Sequence, residues 1–185
     1  MIDKIINEAK NAVVAVVKGT GDIINALRST VKDVVVKTIK DAGGAAGAGI
    51  ETVTSVVRGA VTGLSKTATG VAEGATAIVE SAIHGVSEIG GDVTSAAKHA
   101  VQGALHGAVE IGGDAGKVAV SAVEGAIKAA GAVGADTTKA AGGAIAGAIE
   151  AAEKIGGKTL DTVKGALKSA ASLPREVVSA ALKGK

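Results

Sequence analysis

Small and aliphatic residues return along this chain every eleven positions. Blocks that begin at Ile2 and Val13 continue through Val57, Val79, Val101, Val123 and Ile145 to Val178 without a slip. Within each block, positions 1, 4, 5, 8 and 11 are apolar or small, and charge gathers at 2, 3, 6, 9 and 10. Eleven residues fill three helical turns at about 3.67 residues per turn, so such a stripe stays on one side of a straight or slightly right-handed helix. Its five positions span roughly 130°, the width of an amphipathic helix face. Charged residues make up 21% of the chain, yet only Arg28 and Lys185 fall on the stripe. No period of two marks a strand. The pattern predicts an all-α protein without a β-sheet, built from long amphipathic helices.

The predicted contact stripe runs through Val57, Val61, Val71, Val79, Ile83, Val86, Ile89, Val101, Leu105, Ile111, Val123, Ile127, Ile145 and Ile149. Residues 1–173 read as one helical region. Its first half, 2–78, is the more aliphatic, and 79–166 repeats in units of twenty-two. Pro174 breaks the pattern, so 174–185 reads as a short separate helix. Gly90-Gly91-Asp92, Gly112-Gly113-Asp114 and Gly134-Ala135-Asp136 admit two readings. Either glycine caps end one helix and Asp caps begin the next, giving a bundle or array. Or the helix is continuous and the glycines are flat points on its contact face. Glu88 and Glu110 favour continuity, because a helix dipole disfavours acid in the last turn. On the stripe, Gly90, Gly112, Gly116, Gly134 and Gly156 are the candidates for close helix packing. Glycines four apart (Gly59/Gly63, Gly103/Gly107, Gly143/Gly147) also suit close approach. Gly103 and Gly107, at block positions 3 and 7, read as facing away from the stripe.

Composition sharpens the picture. The chain of 185 residues has no Phe, Trp, Tyr or Cys, and 28 glycines. Aromatic side chains supply much of the buried area of ordinary cores, so a core here must be thin and closely spaced. Disulfides and zinc–sulfur sites are excluded. Net charge is +2 with both signs mixed, which gives nucleic acid neither a basic patch nor a stacking platform. His84, His99 and His106 are spaced too widely for joint ligation and read as solvated residues of the polar face. No nucleophile–base pair or phosphate loop is evident. The sequence therefore points to a non-enzyme with no cofactor, no metal and no evident small-molecule substrate. The N-terminus lacks a signal-peptide pattern, and no apolar run approaches the about 20 residues of a membrane span. The expected location is cytoplasmic, whether free or peripheral to a membrane or granule.

The stretch Lys66–Val86, KTATGVAEGATAIVESAIHGV, resembles the Val/Thr/Gly/Ala-rich repeats of synucleins and perilipins. The eleven-residue register is also similar to that of group 3 late-embryogenesis proteins. The resemblance implies reversible binding of a weakly apolar helix face to lipid. Each glycine inside a helix costs about 0.8–1 kcal/mol relative to Ala, so the helices need a covering surface to be ordered. Two functions follow as expectations. The stripe binds an apolar surface such as a membrane, lipid droplet or granule. Alternatively, the protein is a self-assembling helical bundle, stalk or filament packed stripe to stripe, with itself as partner in a homo-oligomer.

Overall fold

A computed structural model describes residues 2–17, 22–43, 49–66 and 70–184. The block starts Ala46 and Ala68, and the stripe residues Thr20 and Lys185, lie outside the described residues. The described residues form α-helices and a 3-10 turn over Leu64–Lys66, with no strand among them. The helices are α1 (Ile2–Val17), α2 (Ile23–Asp41), α3 (Thr52–Gly63), α4 (Val71–Glu88), α5 (Val93–Glu110), α6 (Ala115–Ala132), α7 (Thr137–Ile155), α8 (Thr159–Ser169) and α9 (Arg175–Lys183).

The chain is not one continuous helix. At Gly90, Gly112 and Gly134 the backbone turns left-handed, with φ of 73°, 72° and 72°. The next amide then reaches back across the helix end. Gly91 N–H bonds to Val86 O at 2.9 Å, Gly113 N–H to Ala108 O at 2.7 Å and Ala135 N–H to Ala130 O at 2.8 Å. This is the Schellman arrangement, in which a left-handed residue lets orphan carbonyls find donors. The following aspartates start the next helix. Asp92 accepts from Ser95 N–H, Asp114 from Lys117 N–H, and Asp136 from Thr138 and Lys139 N–H. Four residues thus close one helix and open the next.

Two layers result. The tightest contacts join helices two apart in sequence rather than consecutive ones. One layer holds α1, α3, α5 and α7, and the other holds α2, α4, α6 and α8. Within a layer neighbours run parallel, because later residues of one helix meet later residues of the next: Arg28 and Lys32 of α2 meet Glu80 and Glu88 of α4. Consecutive helices cross between layers. The short helix α9 rests against α7 and α8. One apolar core runs from Ala9 in α1 to Val178 in α9.

The stripe lies inside this array. Val57, Val61, Val79, Ile83, Val86, Val101, Leu105, Val123, Ile145 and Ile149 are buried, and Val71, Ile89, Ile111 and Ile127 are half-buried. Burial also extends beyond it. In α5 the buried residues include Gln102, Gly103 and Gly107, which lie off the stripe. An inner helix has a neighbour on each side within its layer as well as the opposite layer, so more than one face is covered.

The glycines divide by role, and the division corrects the sequence reading. Gly90, Gly112, Gly134 and Gly156 have open space where a Cβ would stand, and all have positive φ. They are turn residues and not packing points. Of the glycines on the stripe, Gly116 does make a close contact, against Ala166 and Thr162 of α8. The tightest approaches to a neighbouring carbonyl fall on Gly59 and Gly147, which belong to pairs suited to close approach, and on Gly103, which reads as facing away from the stripe. A Cβ on Gly103 would collide with Thr54 O, one on Gly125 with Thr76 O, and one on Gly147 with Lys98 O. The glycines of this series and their carbonyl partners both step by twenty-two residues, so it is one contact repeated in alternate layers. Gly107 lies in the same way against Arg58 O, where the hypothetical Cβ would sit 2.7 Å from the oxygen.

Two substitutions separate these roles. Gly147→Ala, with no room at the seam, is expected to cost about 1–3 kcal/mol through overpacking. Gly165→Ala, at an exposed position of α8 with nothing nearby, is expected to gain about 0.8–1 kcal/mol from helix propensity. Urea midpoints of the two variants check the opposite signs.

Candidate functional site

The chemistry of this chain is concentrated along the seams between parallel helices. A seam begins with glycine, which brings two backbones together. Hydroxyls then reach across. Thr54 Oγ1 of α3 donates to His99 O of α5 at 3.1 Å, and Thr76 Oγ1 of α4 donates to Ser121 O of α6 at 3.1 Å. The two bonds are the same contact shifted by twenty-two residues, once in each layer.

Charged residues extend the seams outward. Glu80 of α4 is 7% exposed and is held from both sides. Arg28 of α2 donates to its Oε2 at 3.0 Å, and the Lys128 ammonium of α6 lies 2.9 Å from Oε1 as an ion pair without hydrogen-bond alignment. Three helices of one layer are therefore tied through one carboxylate. In the other layer Arg58 of α3 pairs with Glu110 of α5. Lys98 of α5 pairs with Glu150 of α7 at 2.9 Å, and Gln102 donates to the same carboxylate at 2.8 Å. Glu80–Lys128, Gln102–Glu150 and Glu124–Ser172 form one series, with both partners stepping by twenty-two residues. The polar partners change while the position of the contact is kept.

These pairs explain Glu88 and Glu110. Acid in a last helical turn opposes the dipole. Here each carboxylate meets a cation from the neighbouring helix, Lys32 at 3.0 Å for Glu88 and Arg58 for Glu110. The hydrogen bond and charge of Glu88 hold the Lys32 ammonium above the usual lysine range. The sequence carried a signal for such pairs, since Arg28–Glu80, Arg58–Glu110 and Lys98–Glu150 are all separated by fifty-two residues.

The histidines are not fully solvated. His99 and His106 are half-buried at the α3–α5 seam, and His84 is also only partly exposed. Thr54 Oγ1 lies 3.2 Å from His99 Nδ1. Burial lowers the His99 pKa, and the Lys98 and Lys154 charges lower it further, against opposing pulls from Glu51 and Glu150. Burial likewise lowers that of His106, with help from Arg58 and Lys154. Among the described residues no group of three His, Asp or Glu is placed to hold a metal ion. No described helix is long and apolar enough to cross a membrane. No protein-family model matches the chain, and no curated protein matches it significantly.

Two outcomes are expected. Glu80→Gln should lower stability by about 1–2 kcal/mol, discounted because Arg28 and Lys128 remain partly in solvent. Lys128→Ala, which removes only the more exposed partner, should change it by less than about 0.5 kcal/mol. Denaturant midpoints test the pair. The second outcome concerns pH. The folded state disfavours the protonated forms of His99 and His106, so unfolded chains take up protons first. That contribution is fully present above the ordinary value of 6.5 and is lost as pH falls through the lower folded values. Melting temperature should drop between about pH 7.5 and about pH 5.5, before carboxylates titrate. A His99→Asn, His106→Asn variant should flatten that slope.

Proposed function

We propose that this chain is a non-enzymatic structural protein, a self-packing helical scaffold whose apolar stripe is covered by its own helices. One observation carries the reading. Ten of the fourteen predicted stripe residues are buried within a single chain, and the other four are half-buried. The surface that would have met lipid is occupied by Gly-, Ala- and Val-lined neighbours. Backbone-to-backbone seams and ion-pair ladders give such an array a defined helix register, which suits a spacer or support. Binding an apolar surface through the stripe would require the layers to separate and expose the side chains that hold them together.

The outer edges support a finite scaffold. On α1, Asn7, Glu8 and Asn11 are exposed, and on α2, Asp33, Lys37 and Lys40 are exposed. Repeat arrays need terminal units with polar outer faces to stay soluble. These edges offer another copy no glycine strip of the kind that joins the inner helices.

Far-ultraviolet circular dichroism and light scattering across a dilution series, without lipid, test the reading. Helix content is expected to stay constant to the lowest measurable concentration and to change little with vesicles. Loss of helix on dilution would point to assembly between chains. Helix that forms only with vesicles would establish surface binding and remove the scaffold reading. Val79→Asp with Val101→Asp, both at fully buried positions, should abolish the fold, because buried unpaired charge costs several kcal/mol.

A further inference from the structure

The C-terminal pole differs from the rest of the array in charge and shape. Residues 158–185 hold six basic and two acidic side chains, whereas the remainder holds fourteen and sixteen. Here α8 and α9, joined through Leu173-Pro174, diverge around a cleft of about 570 Å³. Leu167 and Val178, both buried, and half-buried Leu182 supply its apolar wall. Lys168, Arg175 and Lys183 stand exposed at its rim. Most cations on the inner seams face a carboxylate. These three make no ion pair among the described residues.

Size and charge together select the occupant. Small-molecule sites range over about 300–1,000 Å³ and combine apolar walls with a few polar groups. A partner helix, about 10–12 Å across, would fill this cleft with little more than one turn. An apolar wall beneath unpaired cations matches an amphiphile with one hydrocarbon chain and one anionic head. We propose that the α8–α9 cleft binds a free fatty-acid anion, with the chain along Leu167, Val178 and Leu182 and the carboxylate among Lys168, Arg175 and Lys183. This site is separate from the seams, so it stands or falls independently of the scaffold reading.

Isothermal titration of the full chain with laurate, kept below its micelle concentration, tests the proposal. Saturation at one laurate per chain is expected. Lys168→Glu with Arg175→Glu, both at exposed positions, should weaken binding roughly tenfold, by replacing attraction with repulsion. Lys37→Glu with Lys40→Glu, an equal charge change on exposed sites of α2, should leave it unchanged. The neutral alcohol of the same chain length should bind much more weakly. Equal binding of acid and alcohol, equal weakening by both double variants, or no saturation at one per chain would overturn the assignment. Binding seen only with phosphatidylglycerol vesicles would overturn it as well, and would identify a membrane surface as the occupant.

Discussion

Everything in this fold depends on how closely two helical backbones can approach. A chain without aromatic residues cannot fill wide gaps between helices. Its remaining option is to narrow the gaps until Ala, Val and backbone atoms touch. Gly103, Gly125 and Gly147 make this possible by placing no side chain against the carbonyls of Thr54, Thr76 and Lys98. The same closeness lets short threonine side chains bond to backbone oxygens of the next helix, as Thr54 and Thr76 do. The glycines that penalise each isolated helix are thus the residues that allow helices to cohere. Dispersion contacts fall off over fractions of an ångström, so a seam either closes fully or contributes little.

Turn geometry keeps the seams in register. From α3 to α7 the carbonyl and glycine of a seam are forty-nine residues apart, as in Thr54–Gly103, Thr76–Gly125 and Lys98–Gly147. Where the span includes the link between α2 and α3, the equivalent contacts join Ile6 with Gly59 and Lys32 with Gly85, at fifty-three. The difference is four residues, about one helical turn. A shift of a full turn presents the same face again, so longer links leave the packing mode intact. A shift of two residues would have turned glycine away from its carbonyl.

This also defines what the amino-acid sequence could reveal. All-helical character and the location of the apolar face were readable, because the stripe from Ile2 to Val178 is a local signal with an error of one interior charge, Arg28. What covered that face was not readable. Lipid, another chain and another segment of the same chain place the same demand on Val79 or Ile83. The roles of the glycines are hidden for a related reason. Gly90 and Gly112 sit on the stripe and so resembled packing points, whereas their positive φ depends on where the helix ends. Gly103 and Gly107 sit off the stripe, and only a second buried face gives them a role. The spacing of Arg28–Glu80 and Arg58–Glu110 held the missing information. An equal separation of more than two repeat units has no meaning in one long helix, but it is the natural distance between parallel neighbours of a layer.

A repeating contact raises the question of what stops it. The Gly-to-carbonyl seam is directional: each helix from α3 to α7 offers glycine to a carbonyl of the one before it in its layer. At the first edge the offering side has changed character. α2 exposes Lys37 where α4 carries buried Ser81 and α6 carries Gly125, each forty-four residues further on. A lysine at that place holds a neighbour off by bulk and by the cost of desolvating its ammonium. At the other edge the accepting side is covered, since α9 lies across α7 with Val177 against Gly142. One end is therefore closed by charge and the other by a helix too short, at nine residues, to continue the layer. Closure by a helix leaves a cleft where the regular packing stops, and this is the place where unpaired cations and aliphatic side chains meet.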